Sequence, residues 1–198
     1  MRGLLLKEWY MLSKNFKSLF LIIFLFAVFG LFYDVSLVTI VPVLLASVPV
    51  STTALDERSG WSGYADALPV TRKNIVDSKY ISGAVCILFS AALFALVTAA
   101  RNGIGASVRQ MIFQTALGII YMSLIMPAVF RFGTEKARYI NMAVVAVFAM
   151  LAVIIMTTVA GSFSEIPMHF AVPALPAALA LMLVSERVSV SIYKRKEF

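Results

Sequence analysis

Residues 55–80 read LDERSGWSGYADALPVTRKNIVDSKY and carry eight charged side chains, four of each sign. Long apolar segments flank this polar stretch, and the chain as a whole is 61% hydrophobic and only 14% charged. A soluble domain is usually about half apolar and about a quarter charged. The excess of apolar residues therefore predicts an all-α protein embedded in a bilayer, with this stretch exposed at the membrane surface.

Six apolar segments approach or exceed the length that a helix needs to cross the hydrocarbon layer, about 20 residues. They cover residues 18–33, 35–55, 80–100, 110–130, 140–161 and 166–185. Because lipid offers no partner to unpaired backbone groups, each segment is predicted to be a helix. Only Tyr33 and Asp34 separate the first two, which indicates a tight hairpin. The sequence thus predicts a single transmembrane domain, residues 1–198, with six spans.

The basic residues predict the orientation of these spans. Four of the 17 Lys and Arg residues precede the first span, four lie in residues 56–79, three in 131–139 and four in the tail, 186–198. Only Arg101 and Arg109 lie in the alternate connections. Basic residues accumulate on the cytoplasmic side, so both termini are predicted to face the cytoplasm, in the cell membrane. Because these residues flank apolar segments and form no continuous stripe, nucleic acid is not an expected partner.

The N-terminal segment, residues 1–17, is predicted to form an interfacial helix on the inner leaflet, in contact with membrane lipids. Its large apolar residues Leu5, Trp9, Leu12 and Phe16 recur at helical spacing, and its basic residues lie on the other side. A basic leader that only sets topology is equally compatible with the pattern.

The spans lack the groups that catalysis or ion coupling needs. The middle of every span is without Asp, Glu, Lys, Arg or His, which disfavours a carrier driven by protons or sodium. The sequence contains no H-E-x-x-H pattern, paired intramembrane carboxylates or Cys/His cluster that would indicate a metal or an intramembrane enzyme. It also contains no G-x-x-x-x-G-K-[ST] motif. No catalytic residue, metal or cofactor is therefore predicted in this chain, and ATP could act only through another protein.

Within the polar stretch, Trp61, Tyr64 and Leu68 fall on one face of a short predicted helix. Pro69 ends that helix, and Thr71 can cap a second helix that runs into the third span. The predicted helix–break–helix presents an aromatic face and mixed charges, which suits a protein partner. A loop lying on the bilayer is the alternative, although such a segment is expected to be net basic.

Two motifs resemble the permeases of small ABC exporters of the second permease class. The first cytoplasmic loop of those permeases carries an acidic pair, a Trp, a Leu-Pro-Val-x-Arg and a Val-x-x-Lys-Tyr. The matching residues here are Asp56, Glu57, Trp61, Leu68 to Arg72, and Val76 to Tyr80. The second match is Pro127 followed by RFGTEKARY, residues 131–139. The six-span layout extends the resemblance over nearly the whole chain.

The resemblance implies a cytoplasmic coupling helix between spans two and three. In such exporters this loop docks in a groove of a separate ATPase subunit, which binds ATP and Mg²⁺ and transmits its closure to the spans. The residues implied to form the ATPase contact are Asp56, Glu57, Arg58, Trp61, Tyr64, Leu68, Pro69 and Arg72. The residues implied to form a secondary contact are Arg131, Glu135, Lys136 and Arg138. Two permeases, identical or related, would pair around a central route.

The expected cargo is amphipathic or hydrophobic, because the walls of the pathway offer no buried charge for an ionic headgroup. The chain is similar to compact permeases that export amphipathic toxin peptides, such as the phenol-soluble modulin exporters, or that give bacteria resistance to antimicrobial peptides. The resemblance thus predicts export of an amphipathic peptide. A non-transporting membrane sensor or assembly protein with the same topology is the alternative.

Overall fold

The structure is a computed structural model that describes residues 2–14, 21, 24–25, 28, 41–67, 69–155 and 168–195. The regular secondary structure of these residues is helical, which confirms the prediction of an all-α protein. The helices with defined bounds are α1 (Arg2–Lys14), α2 (Val41–Ala46), α3 (Val48–Arg58), α4 (Trp61–Asp66), α5 (Arg72–Asn102), α6 (Ile104–Ile155) and α7 (Met168–Lys194).

Among the described residues, three helices are long and apolar enough to cross a membrane. Their apolar stretches are Arg72–Ala100 in α5, Ser107–Phe148 in α6 and Pro173–Lys194 in α7. The chain is therefore a helical membrane protein, and the number of six spans stays a prediction. Most of the predicted first span, the bend at Asp34 and residues 156–167 lie outside the described residues.

The described part of the predicted second span, residues 41–55, belongs to two short helices, α2 and α3, which meet at Ser47. Most of the apolar residues of α2 are buried against the other helices. Helix α3 continues beyond the apolar segment to Arg58 and so carries the first charges of the polar stretch at its C-terminal end.

Helix α6 reverses direction at Gly133, whose φ of 77° and ψ of 167° are nearly exclusive to glycine. Tyr121, before this residue, donates a hydrogen bond to Asn141 Oδ1, after it. The Tyr121 ring also meets the Phe148 ring edge-on, with centroids 6.0 Å apart. In one straight helix, Tyr121 and Phe148 would lie about 40 Å apart. Residues 104–132 and 134–155, the first and second arms of α6, therefore lie side by side.

The reversal shows how the segment predicted as a loop, residues 131–139, is built. All of these residues are helical except Gly133, so the connection between the arms is a single turn. The tail predicted for residues 186–198 is likewise helical as far as Lys194, because α7 continues past residue 185. The charged residues of 131–139, and those of the tail as far as Lys194, are consequently held on helices.

Pro127 removes a backbone hydrogen bond from the first arm, and α7 replaces it. Because proline has no N–H, the carbonyl of Ser123, four residues earlier, loses its helical partner. Ser185 Oγ of α7 donates to that carbonyl at 2.6 Å. The Ser185 hydroxyl also lies 2.7 Å from the hydroxyl of Tyr80, which lies 2.9 Å from Ser189 Oγ. This chain of hydroxyl groups fastens α5, α6 and α7 together beside the proline.

Candidate functional site: the charged end of the helices

The candidate site lies where several helix ends meet, a region that we call the charged end. It comprises α1, the last turn of α3, α4, the first turns of α5, the turn at Gly133 and the last turn of α7. Contacts between distant parts of the sequence bring these elements together, as the pairs Lys7–Asp56, Glu57–Thr134 and Arg72–Tyr193 show. The described residues of both segments that the sequence marked as ATPase contacts lie here.

Four ionisable side chains from three helices form a buried ion network at the charged end. Asp56 of α3 lies 2.6 Å from Lys7 Nζ of α1 and 2.7 Å from Lys79 Nζ of α5. Glu8 of α1 lies 2.7 Å from Lys79 Nζ, which also donates to Thr52 Oγ1 at 3.0 Å. Lys79 and Glu8 are each only 2% exposed. Two cations balance two anions, so removal of one partner would leave a buried charge without compensation.

Lys7 connects the ion network to the aromatic part of the polar stretch. Its Nζ lies 4.3 Å from the ring centroid of Trp61, a cation–π arrangement. Burial lowers the pKa of the Lys7 ammonium, the pairing with Asp56 raises it, and the Lys79 cation lowers it further; the net shift is downward. The Trp61 side chain is half-buried, with its ring centroid 5.6 Å from that of Tyr64. Tyr64 itself is 62% exposed and faces outward.

Glu57 joins the polar stretch to the turn of α6. Its Oε2 accepts hydrogen bonds from the Thr134 backbone N–H at 2.8 Å and from Thr134 Oγ1 at 2.5 Å. Thr134 begins the second arm, so the carboxylate satisfies donors at a helix N-terminus, where the helix dipole favours negative charge. The segments predicted as primary and secondary contacts are therefore in direct contact with each other.

Arg72 and Thr71 fix the ends of two helices at the same place. Arg72 Nη1 donates to the carbonyls of Tyr193 and Lys194, at 3.4 and 3.3 Å, in the last turn of α7. These carbonyls have no partner within their own helix. Thr71 has extended backbone angles, and its Oγ1 accepts from the backbone N–H of Asn74 at 3.3 Å. The prediction that Thr71 caps α5 is confirmed.

An open cleft of about 730 Å³ separates α3 from the second arm of α6. Its apolar side is formed by Val50 and Ala54, and its charged side includes Arg58, Lys136 and Arg138. All three cations are exposed. The cleft thus lies between the two segments that Glu57 and Thr134 hold together.

The structure places the candidate ATPase-contact residues in different surroundings. Asp56 is buried in the ion network and Arg72 caps α7, so both are engaged within the chain. The side chains that reach the surface are Glu57, Arg58, Tyr64, Pro69, Arg131, Glu135, Lys136 and Arg138. Trp61 is half-buried, and Leu68 lies outside the described residues.

Sequence reasoning missed the network partners Lys7, Glu8 and Lys79. Two signals were present in the sequence. Glu8 is the only acidic residue among the first 17 positions, which are otherwise basic or uncharged. Lys79 belongs to the Val-x-x-Lys-Tyr motif next to Tyr80, but the sequence could not show that it is buried. No group of three or more His, Cys, Asp or Glu suited to a metal occurs in the described residues.

Apolar helices that end in one folded, charged surface define a helical membrane protein. The family model for ABC-2 family transporter proteins matches residues 3–194, and the chain belongs to this family. It is accordingly a membrane permease component of an ABC transporter, a class that works with an ABC ATPase component. No curated protein matches the chain. The resemblance drawn from the two motifs is confirmed at the level of the family.

Proposed function

We propose that this chain is the permease subunit of an ABC exporter and that a separate ATPase subunit docks on the charged end. The observation that carries the proposal is that the charged end is one connected unit. The ion network joins α1, α3 and α5, the bond from Glu57 to Thr134 joins α3 to α6, and Arg72 joins α5 to α7. A displacement of this unit would reach every described helix that can cross the membrane.

The proposed ATPase contact is divided between residues that touch the partner and residues that hold the surface. Tyr64, Arg58 and Pro69 would touch the ATPase directly, because they are exposed. Arg131, Glu135, Lys136 and Arg138 would form the secondary contact. The contact surface would be held in place, through partners within the chain, by Asp56, Glu57, Trp61 and Arg72. Leu68 is also part of the proposed ATPase contact.

The proposed orientation places the charged end and both termini in the cytoplasm, where the ATPase binds ATP and Mg²⁺. We also propose that two permease copies pair in the cell membrane; a related second permease is the alternative. Helix α7 supports pairing because only 17% of its apolar stretch is buried within the chain. Its exposed side chains include Leu179, Leu183 and Val184, which lipid or a second permease must cover.

The proposed cargo is an amphipathic peptide that leaves a bacterial cell. An apolar cavity of about 390 Å³ supports this choice; it lies between α5, the first arm of α6 and α7. Its walls include Ile87, Met111, Ile119 and Leu179, and Thr115 is the residue with a hydroxyl in its lining. Such a cavity suits apolar side chains and offers no charged group to select an ionic headgroup.

The test of this function is capture of an ABC ATPase encoded beside the permease. The purified permease, reconstituted in nanodiscs, is titrated with that ATPase. We expect Tyr64→Ala to weaken binding about tenfold, since truncation of a buried interface tyrosine typically costs more than about 1 kcal/mol. Tyr10→Ala on α1 is the matched control, because Tyr10 is 68% exposed and is not one of the proposed contact residues.

Two results would count against the proposal. Equal binding by the Tyr64→Ala and Tyr10→Ala variants would show that the ATPase docks elsewhere on the permease. If the unaltered permease captures no ATPase, an exporter subunit is the wrong function. Transport of a labelled amphipathic peptide into inverted vesicles that contain both subunits then tests the cargo. Accumulation of the peptide without ATP would contradict ATP-driven transport of this cargo.

A further inference from the structure

The cleft between α3 and the second arm of α6 spans the boundary between apolar and charged surface. Along α3, Val50 and Ala54 belong to the predicted second span, and Arg58 follows one turn later. Along the second arm, Lys136 and Arg138 are followed in the lining by Tyr139 and Asn141. The α3 wall therefore changes from charged to apolar along the cleft, whereas the second-arm wall stays polar. The predicted second span ends at residue 55, so this change along α3 would fall near the headgroup layer of a bilayer.

The cleft contains cations that have no anionic partner within the described chain. Arg58, Lys136 and Arg138 form no ion pair with any described carboxylate. The lining also holds two carboxylates. Glu57 is engaged by the hydrogen bonds from Thr134, and Glu135 is exposed. The lining thus keeps a net positive charge, and its three cations have no carboxylate partner among the described residues.

We propose that this cleft binds the headgroup of an anionic phospholipid. The guanidinium groups of Arg58 and Arg138 can each donate two parallel hydrogen bonds to phosphate oxygens, and Lys136 adds a third cation. Val50 and Ala54 offer an apolar surface for the start of the acyl chains. Basic pockets between membrane helices are known to recognise lipid headgroups. The volume of about 730 Å³ accommodates a headgroup with its glycerol.

A lipid is favoured over a soluble anion because a soluble anion would use only the charged part of the cleft. The bound lipid would bridge α3 and the second arm, the same two elements that Glu57 and Thr134 connect. Arg58, Lys136 and Arg138 also belong to the proposed ATPase contact. The lipid site is therefore tested on the permease alone, where binding of the ATPase cannot influence the result.

The experiment uses the full-length permease, purified in a neutral detergent without the ATPase. Phosphatidylglycerol, phosphatidylcholine or glycerol phosphate is added, and native mass spectrometry measures the fraction of protein that retains each. We expect retention of phosphatidylglycerol only. In a triple variant, Arg58→Gln with Lys136→Gln and Arg138→Gln, retention should weaken about a hundredfold, since each basic residue contributes about a factor of five. The single variant Arg138→Gln should weaken retention about fivefold. This variant replaces the triple variant in the experiment if the triple variant does not fold.

The matched control removes three cations from the same end of the molecule but outside the cleft. It is the triple variant Lys73→Gln with Arg131→Gln and Arg195→Gln, all at exposed positions. We expect it to retain phosphatidylglycerol as well as the unaltered protein does. Equal losses in the cleft variants and the control would assign binding to general surface charge and overturn the inference. Retention of glycerol phosphate as strong as that of the lipid, or no retention of phosphatidylglycerol, would also overturn it.

The inference and the proposed function can fail separately. Lipid retention by a permease that captures no ATPase supports the lipid site and contradicts the exporter. ATPase capture by a permease whose cleft variants retain phosphatidylglycerol unchanged contradicts the lipid site and leaves the exporter in place.

Discussion

The Asp56 carboxylate of α3 lies 2.7 Å from the Lys79 ammonium of α5, and this pair is buried. Lys79 is 2% exposed and Asp56 7% exposed. Desolvation of each buried charge costs several kcal/mol. The pair therefore stabilises the chain only while both opposite charges are present. The pair and its neighbours Lys7 and Glu8 therefore fix the geometry of the polar stretch against the membrane helices.

Replacing Lys79 should strongly destabilise the protein. Lys79→Met keeps the length of the side chain but leaves the Asp56 and Glu8 carboxylates with Lys7, which is only half-buried, as their cation in the network. We expect the free energy of unfolding to fall by about 3–5 kcal/mol. Denaturant unfolding of the purified protein, followed by circular dichroism, measures the change. Lys73→Met, at an exposed position of the same helix, should cost less than about 0.5 kcal/mol. Similar losses in both variants would contradict a buried network.

The hydrogen bond from Ser185 to the carbonyl of Ser123 should depend on Pro127. Ser185→Ala leaves that carbonyl without a donor and should cost about 1–3 kcal/mol. In a Pro127→Ala background, the restored backbone N–H can donate to this carbonyl. The loss of unfolding free energy on Ser185→Ala should then be less than about half as large. A double-mutant cycle of unfolding free energies measures this coupling.

The control for this cycle is Ser191→Ala, at an exposed position of α7. It should change the unfolding free energy by less than about 0.5 kcal/mol in both backgrounds. If the effect of Ser185→Ala is the same with and without the proline, then Ser185 does not replace the missing backbone donor.

Gly83 lies where α5 packs closely against α3 and the first arm of α6. A Cβ at this position would lie 2.6 Å from Pro49 Cγ and 2.6 Å from Met122 Sδ. The methionine can move, but the proline ring sits on the backbone of α3 and cannot. Gly83→Ala should therefore destabilise the protein by about 1–3 kcal/mol. Gly105→Ala, where a Cβ meets nothing within 4 Å, is the control. Comparable melting temperatures of the two variants would rule out this contact.

Glu57 should stabilise the turn of α6 through Thr134. Glu57→Ala removes the acceptor for the Thr134 N–H and hydroxyl, and we expect a loss of about 1–2 kcal/mol. Glu57→Gln should lose less, because the amide oxygen can still accept. Glu135→Ala removes an exposed carboxylate from the same cleft and should cost less than about 0.5 kcal/mol. Hydrogen exchange of the Thr134 amide offers a local measurement, and unchanged protection in Glu57→Ala would contradict the bond.

Much of the fold could be predicted from local sequence patterns. The apolar runs around residues 80–100 and 110–130 predicted membrane helices, because burial in lipid depends on composition over about 20 residues. Thr71 was predicted to cap α5 because a capping hydroxyl acts on backbone groups only three residues away. The motifs around Trp61 and Pro127 indicated the family, and the match over residues 3–194 confirms it. The cargo, the orientation and the pairing of permeases stay predictions.

The tertiary structure decided which of the charged residues face solvent. Asp56 and Arg58 are two residues apart in one polar stretch, yet Asp56 is buried against Lys79 and Arg58 lines an open cleft. Sequence patterns report on neighbours along the chain, whereas the burial of a charge depends on which distant helix supplies its counter-ion. The reversal at Gly133 could not be predicted for the same reason. The contact of Tyr121 with Asn141 exists only when the two arms of α6 pack against each other.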